Sequence, residues 1–216
     1  PTPVPEPTDT PDPTAGFVDF SNDVLGISLA YPSDWAIEFD EAGNELNLAT
    51  SQSVLDSADD EIEGAIINML FLNRADLDFL GGEGSDMSNP VDVLNIFTEQ
   101  IALASGEDES FDLTITDEPV ATTINGQDAA VAFATAIDDS GEEANVKLAI
   151  VLGETRAAFV FSGSEMEAEA ENRATLDAIE NSITLSTPAG TPTTEGPGAP
   201  ESAGFLLYGD SVAGSV

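Results

Sequence analysis

Between residues 16 and 186 the chain alternates two hydrophobic rhythms, one of period two and one near 3.6, which predict strands and helices respectively. Phe17–Phe20 and Ile27–Tyr31 read as short strands, followed by a turn over Pro32–Trp35. Ala36–Phe39 and Glu45–Thr50 flank Ala42-Gly43-Asn44 and predict a hairpin. Gly64–Leu72 (GAIINMLFL) is almost continuously apolar, the pattern of a central strand. A helix start is well marked: Ser88 or Asn89 supplies the N-cap, Pro90 suits the first helical position, and Leu94, Phe97 and Ile101 form an i, i+3, i+7 stripe that Gly106 ends. Phe111–Thr116, Ala129–Ile137, Asn145–Leu152 and Arg156–Ser162 predict four further strands. Their connections through Asn125-Gly126, Asp139–Glu142 and Gly153–Thr155 are short and carry glycine, so the pairing is antiparallel. A last helix is expected from a cap near Ser164 through Met166, Ala170, Leu176, Ile179 and Ile183. The fold class is α+β.

The two ends follow neither rhythm. Six of the 13 prolines fall in Pro1–Pro13 and four more in Thr187–Pro200, where Thr, Gly and Glu accompany them. Such chain is extended and cannot assemble a core, which makes it a spacer, or a stalk whose threonines carry O-linked glycans. No Asn-x-Ser/Thr sequon occurs. Beyond the second spacer stands an apolar island, Phe205, Leu206, Leu207 and Tyr208, bracketed by Gly204 and Gly209. An island of this kind has to bury itself, on its own domain or on another copy. The expected organisation is a tail at 1–15, an α+β domain at 16–186, a spacer at 187–203 and a possible donor strand within 204–216.

Charge narrows the function classes. The chain of 216 residues has 42 acidic and four basic residues (Arg74, Lys147, Arg156 and Arg173), a formal net charge of −38. Nucleic acid binding and attraction to anionic membranes both need clustered cations, so neither is expected. Cys and His are absent, which removes disulfides, thiolate nucleophiles, imidazole acid–base catalysis and thiolate or imidazole metal sites. No nucleotide-binding or nucleophile motif is present, and the expectation is a protein that is not an enzyme. Ala129–Ile137 and Leu148–Leu152 are far shorter than the roughly 20 residues that span a bilayer. The sequence opens at Pro1 with no basic n-region or apolar h-region, so the expectation is that any export signal has been removed or is not part of this sequence and that an anchoring Cys, if there is one, lies upstream.

Hard cations are the remaining chemistry. Carboxylates cluster at Asp56, Asp59, Asp60, Glu61 and Glu63, at Glu107–Glu109, and at Asp138, Asp139, Glu142 and Glu143. Each cluster can ligate calcium through oxygen or can be a solvated acidic loop; none has the spacing of an EF-hand. A glycosidase carboxylate pair has no support beyond the abundance of carboxylates. Tyr31 and Trp35 are either a ligand platform or a packed corner, and packing is the expectation. The four cations are expected in local ion pairs, each worth little. The acidity itself suits a salt-adapted surface, a cation-binding coat or a soluble secreted protein.

Four segments in order resemble the PsbP-like family. Gly26–Trp35 (GISLAYPSDW) is similar to its opening strand of the form G-x-S/F-x-Y-P-x-x-W, Ile124–Ala129 (INGQDA) to its "ingxxa" turn, Arg156–Ser164 (RAAFVFSGS) to its penultimate strand, and Leu176–Ile183 (LDAIENSI) to its closing helix. The resemblance implies an antiparallel sheet of about six strands flanked by helices on both sides, and a binding or stabilising module without a shared catalytic apparatus, as in extrinsic photosystem subunits, bacterial surface lipoproteins and a nuclear-transport factor. The scarcity of lysine departs from the photosystem members and leaves no basic patch for docking. With the Thr-Pro tails, the missing Cys and the single Lys, it points to an extracellular or cell-surface prokaryotic protein. Two roles are expected: a filament subunit whose Phe205–Tyr208 docks on the next copy, assembly being favoured by salt or divalent cations, or a tethered monomeric binding module whose tail caps its own sheet.

Overall fold

A computed structural model describes residues 14–40, 44–56, 64–79, 86–105, 111–138, 141, 143–166 and 168–188. Ten strands and three α-helices follow in the order β1 Phe17–Asn22, β2 Ile27–Pro32, β3 Ala36–Asp40, β4 Glu45–Ala49, α1 Gln52–Asp56, β5 Ala65–Asn73, α2 Pro90–Ser105, β6 Phe111–Ile124, β7 Gln127–Asp138, β8 Glu143–Leu152, β9 Arg156–Glu165, α3 Glu169–Ser182 and β10 Thr184–Leu185. A 3₁₀ turn over Arg74–Phe79 follows β5.

Where about six strands were expected there are two sheets, both antiparallel throughout: a seven-stranded one in the order β3-β4-β5-β9-β8-β7-β6 and a three-stranded one in the order β1-β2-β10. Local chemistry sets the turns. Asn125 and Gly126 both have positive φ, 47° and 76°, the requirement of the two-residue turn whose twist matches the strands it joins. Asn89, the better of the two expected caps, accepts the Val91 amide on its Oδ1 at 3.0 Å, and Pro90 opens α2 where its missing N–H costs nothing.

The period-two alternation of β5, β7, β8 and β9 sorts side chains onto two faces of the large sheet. On one face Leu113, Ala130, Ala132, Val146, Leu148, Ile150 and Phe159 pack against Val93, Leu94 and Ile101 of α2, with Phe97 stacked 4.0 Å from Phe159. On the other, Ile67, Met69, Phe71, Val151 and Val160 meet Leu176 and Ile179 of α3, Ile183 at its C-cap, Leu25 of the β1–β2 turn, and Ile27 and Leu29 of the small sheet. Tyr31 and Trp35 lie partly buried against this second cluster, as packing residues.

Three expectations need correction. Strand β6 runs eight residues past Thr116, where the predicted strand stops, because Asp117, Glu118 and Pro119 are absorbed by shifts of register between Ile115 and Val120. An edge strand tolerates Pro and bulges that a central strand would not. The last helix does not start near Ser164: that residue still pairs with Ala65 and Asn145, α3 begins at Glu169, and Met166 is exposed. Ile183 caps α3 rather than belonging to it, and the chain then forms β10.

Candidate functional site

Three of the four cations, Arg74, Lys147 and Arg173, make hydrogen bonds or ion pairs inside the domain. Lys147 of β8 sits opposite Ser162 of β9, beneath α3. Its Nζ lies 2.6 Å from Glu180 Oε2 and 2.8 Å from Asp177 Oδ1, and Ser162 Oγ donates to Glu180 Oε1 at 2.5 Å. Arg173 joins from α3, with Nε 2.7 Å from Glu169 Oε1 and one NH2 group 3.3 Å from Ser162 Oγ. Glu180 is 1% exposed and Lys147 13%, so this pair is not the weak surface bridge expected of it. Burial alone would lower the Lys147 pKa, but the charge of Glu180, hydrogen bonds to Asp177 and Glu180 and the charge of Asp177 outweigh it, leaving Lys147 above the ordinary lysine value. Arg74 donates to the carbonyls of Gly153 at 3.4 Å and Met87 at 3.3 Å. Arg156 is partly buried near Asp76; burial lowers its pKa and Asp76 opposes that. These contacts are structural, and they leave the surface without cationic relief.

The same sheet face changes character beyond β8. Helix α3 approaches β6, where Ile124 is buried in the cluster it shares with Leu176, Ile179 and Ile183, but Val120 is 62% and Phe133 41% exposed. Val120 pairs with Val131, and Phe133 stands two residues further along β7 and opposite Lys147, so all share the α3 side. β6 pairs with β7 alone, and its outer side is a sheet edge. Its stretch Val120–Ile124 belongs to an uncharged run from Pro119 to Gln127. The other edges among the described residues differ. β3 carries Glu38 and Asp40, with Glu45 opposite Asp40, its pKa raised by burial and then by the charge of Asp40. β1 carries Asp19, and β10 has two residues.

The chain leaves the domain beside this edge. Gln127 of the β6–β7 turn bonds both the carbonyl and the amide of Leu185 at 2.9 Å, Asn125 Nδ2 donates to Thr184 Oγ1 at 2.7 Å, and the Ser186 amide donates to the Gly26 carbonyl at 2.7 Å. Gly26 has φ +68°, and a Cβ there would collide with the Ser186 carbonyl oxygen.

Of the expected calcium ligands, Asp56 is exposed at the end of α1 and accepts Gln52 Nε2 at 2.9 Å. Asp138 ends β7, and Asp59, Asp60, Asp139 and Glu142 lie outside the described residues, as do Phe205, Leu206, Leu207 and Tyr208. Among the described residues no three carboxylates come together in a way that could hold a metal ion. Sequence reasoning missed the Val120–Phe133 face because the predicted strand ends at Thr116; the signal was the apolar pair Val120-Ala121 between Pro119 and two threonines.

No protein-family model and no curated protein sequence matches the chain. Solved structures do. Cyanobacterial PsbP (CyanoP) of Synechocystis sp. PCC 6803 superposes with a TM-score of 0.56 at 11% identity, over 80% of this chain and 94% of that one. LpqN of Mycobacterium tuberculosis, involved in cell envelope biogenesis, gives 0.47 at 15% identity over 74% and 83%, and the Saccharomyces cerevisiae Ran-binding protein Mog1p 0.45 at 9% over 78% and 95%. Among the described residues no helix is long and apolar enough to cross a membrane. What the CyanoP superposition shows is the fold: this chain is an antiparallel α+β sandwich of PsbP type.

Proposed function

We propose that the chain is a non-catalytic structural subunit displayed outside the cell, joined to copies of itself when Phe205–Tyr208 of one copy docks on the next. The observation that carries this reading is the position of the chain exit: the spacer to the apolar island starts at the same end of the domain as an open, uncharged sheet edge. The buried clusters on both faces of the large sheet are built from residues between Leu25 and Leu185, without the island. An apolar strand on a spacer and an unpaired edge are the two halves of β-augmentation. Repeated head to tail, such a contact yields an open fibre unless a rotation closes it into a ring.

The external address is supported by the Thr-Pro spacers, the absent Cys and the single Lys. With −38 charges per copy, assembly is favoured by salt or calcium, which screen the repulsion. The rival is a tethered monomer whose tail lies on its own edge, a reading favoured by the same closeness of exit and edge. Sedimentation velocity of the full chain and of chain 1–203 in calcium-containing saline tests the proposal. The expected result is assembly of the full chain and a monomeric 1–203. A monomeric full chain, or a 1–203 chain that assembles equally well, overturns it.

A further inference from the structure

The seven-stranded sheet ends in an edge whose two parts are built differently. The middle of β6 is guarded by Asp117, Glu118, Pro119 and two register shifts, the devices that keep edges from pairing. From Val120 to Ile124 the pairing with β7 is regular and no residue is charged. We infer that Val120–Ile124 is the acceptor for Phe205–Tyr208 of a second copy, which adds there as an eighth strand beside the exposed Val120. This rests on the assembly reading above and names its site.

Three observations select site and occupant. The acceptor is five residues long and the apolar island four, so the lengths match. Alternation in an added strand sends either Phe205 and Leu207 or Leu206 and Tyr208 to the side carrying Val120 and Phe133, both of them exposed. Charge agrees as well: Ser202–Gly209 is uncharged and so is Pro119–Gln127, so two copies can meet here without adding to their repulsion, whereas β1 and β3 would set Asp19, or Glu38 and Asp40, against the incoming strand.

The spacer favours a second copy over the tail's own domain. Reaching the home edge from Pro188 takes only a few residues, because Thr184 and Leu185 are bonded to the turn that follows Ile124. The 17 residues from Thr187 to Ala203, four of them proline, are enough chain to reach about 50 Å if extended. That exceeds the roughly 40 Å width of a domain of this size.

Complementation tests the site. Val120→Asp with Thr122→Asp charges the acceptor of a chain that keeps its tail; chain 1–203 keeps the acceptor and lacks the tail. Both replaced side chains are exposed, and circular dichroism confirms the fold of each protein. Each alone is expected to be monomeric by sedimentation velocity, whereas the 1:1 mixture of 1–203 with a full chain bearing Thr122→Asp and Val120→Asp forms a heterodimer. Charging the acceptor raises its apparent dissociation constant for the tail on the order of 100-fold. A charged-acceptor chain that assembles like the parent, while 1–203 stays monomeric, overturns the acceptor but leaves tail-driven assembly standing. A mixture that remains monomeric overturns docking between copies. A 1–203 chain that assembles by itself overturns the assembly reading as well.

Discussion

On a single face of the large sheet, the half under α3 and the half formed by the outer parts of β6 and β7 were built by opposite rules. Under α3, Lys147 and Arg173, two of the chain's four cations, are spent on neutralising buried or half-buried carboxylates, and the apolar positions are sealed by Leu176, Ile179 and Ile183. Beyond Lys147, Val120 and Phe133 are exposed, and the edge from Val120 to Ile124 carries no charge, while Asp117 stands opposite Phe133. A chain with 42 carboxylates has many residues with which to guard that edge, and it guards β1, β3 and the middle of β6 with them. The difference teaches that closure and openness are separately specified here, and the open half reads as a surface kept for a partner.

The sealed half predicts the largest effect. Lys147→Ala leaves the Glu180 carboxylate, 1% exposed, without its nearest cation, with only Ser162 and the Arg173 guanidinium 3.9 Å away to compensate, and should cost about 3 kcal/mol in thermal or denaturant unfolding. The joint change Lys147→Met with Glu180→Leu should come close to neutral, since it removes both charges from the interior. If the single and joint variants lose equal stability, the ion pair is not what holds α3 down.

Alkaline titration sharpens the same point. The Lys147 pKa is raised on folding, so its contribution is fully present below the unfolded lysine value and is lost as pH climbs through the higher folded one. The stability gap between the parent and the joint variant should therefore be flat through neutral pH and change only within roughly pH 9 to 12. A change centred near neutrality contradicts the assignment.

Much of the sealed half was legible in the sequence. Leu176, Ile179 and Ile183 stood at helical spacing, the strands β5, β7, β8 and β9 were evident from their apolar runs, and Asn125-Gly126 marked its turn. The charge network was not, because Lys147, Ser162, Arg173 and Glu180 come together only when β8, β9 and α3 pack. The open edge was hidden for a different reason. Asp117-Glu118-Pro119 carries the local chemistry of a turn, and only the sheet's ability to take bulges at its edge keeps β6 going. The apolar island at 205–208 was evident in the sequence, but not what receives it.

Smaller effects probe the junction between the halves. Gly26→Ala forces a side chain into a left-handed conformation and against the Ser186 carbonyl, and should cost about 1–3 kcal/mol while loosening the root of the spacer. Smallest of all, Val120→Asp should alter the stability of the monomeric 1–203 chain by no more than about 0.5 kcal/mol, because the side chain is 62% exposed. Loss of several kcal/mol there would mean that Val120 belongs to the core and that the contrast between the halves is false.

The most direct measurement is amide hydrogen exchange along Val120–Ile124 in the full chain under assembling salt, against chain 1–203 in the same solution. Docking of a neighbour's strand predicts protection that rises at least about tenfold at these amides and at Phe205–Tyr208, and that disappears on dilution. Exchange at Val120–Ile124 that is the same in both chains, or protection that survives dilution unchanged, contradicts the account.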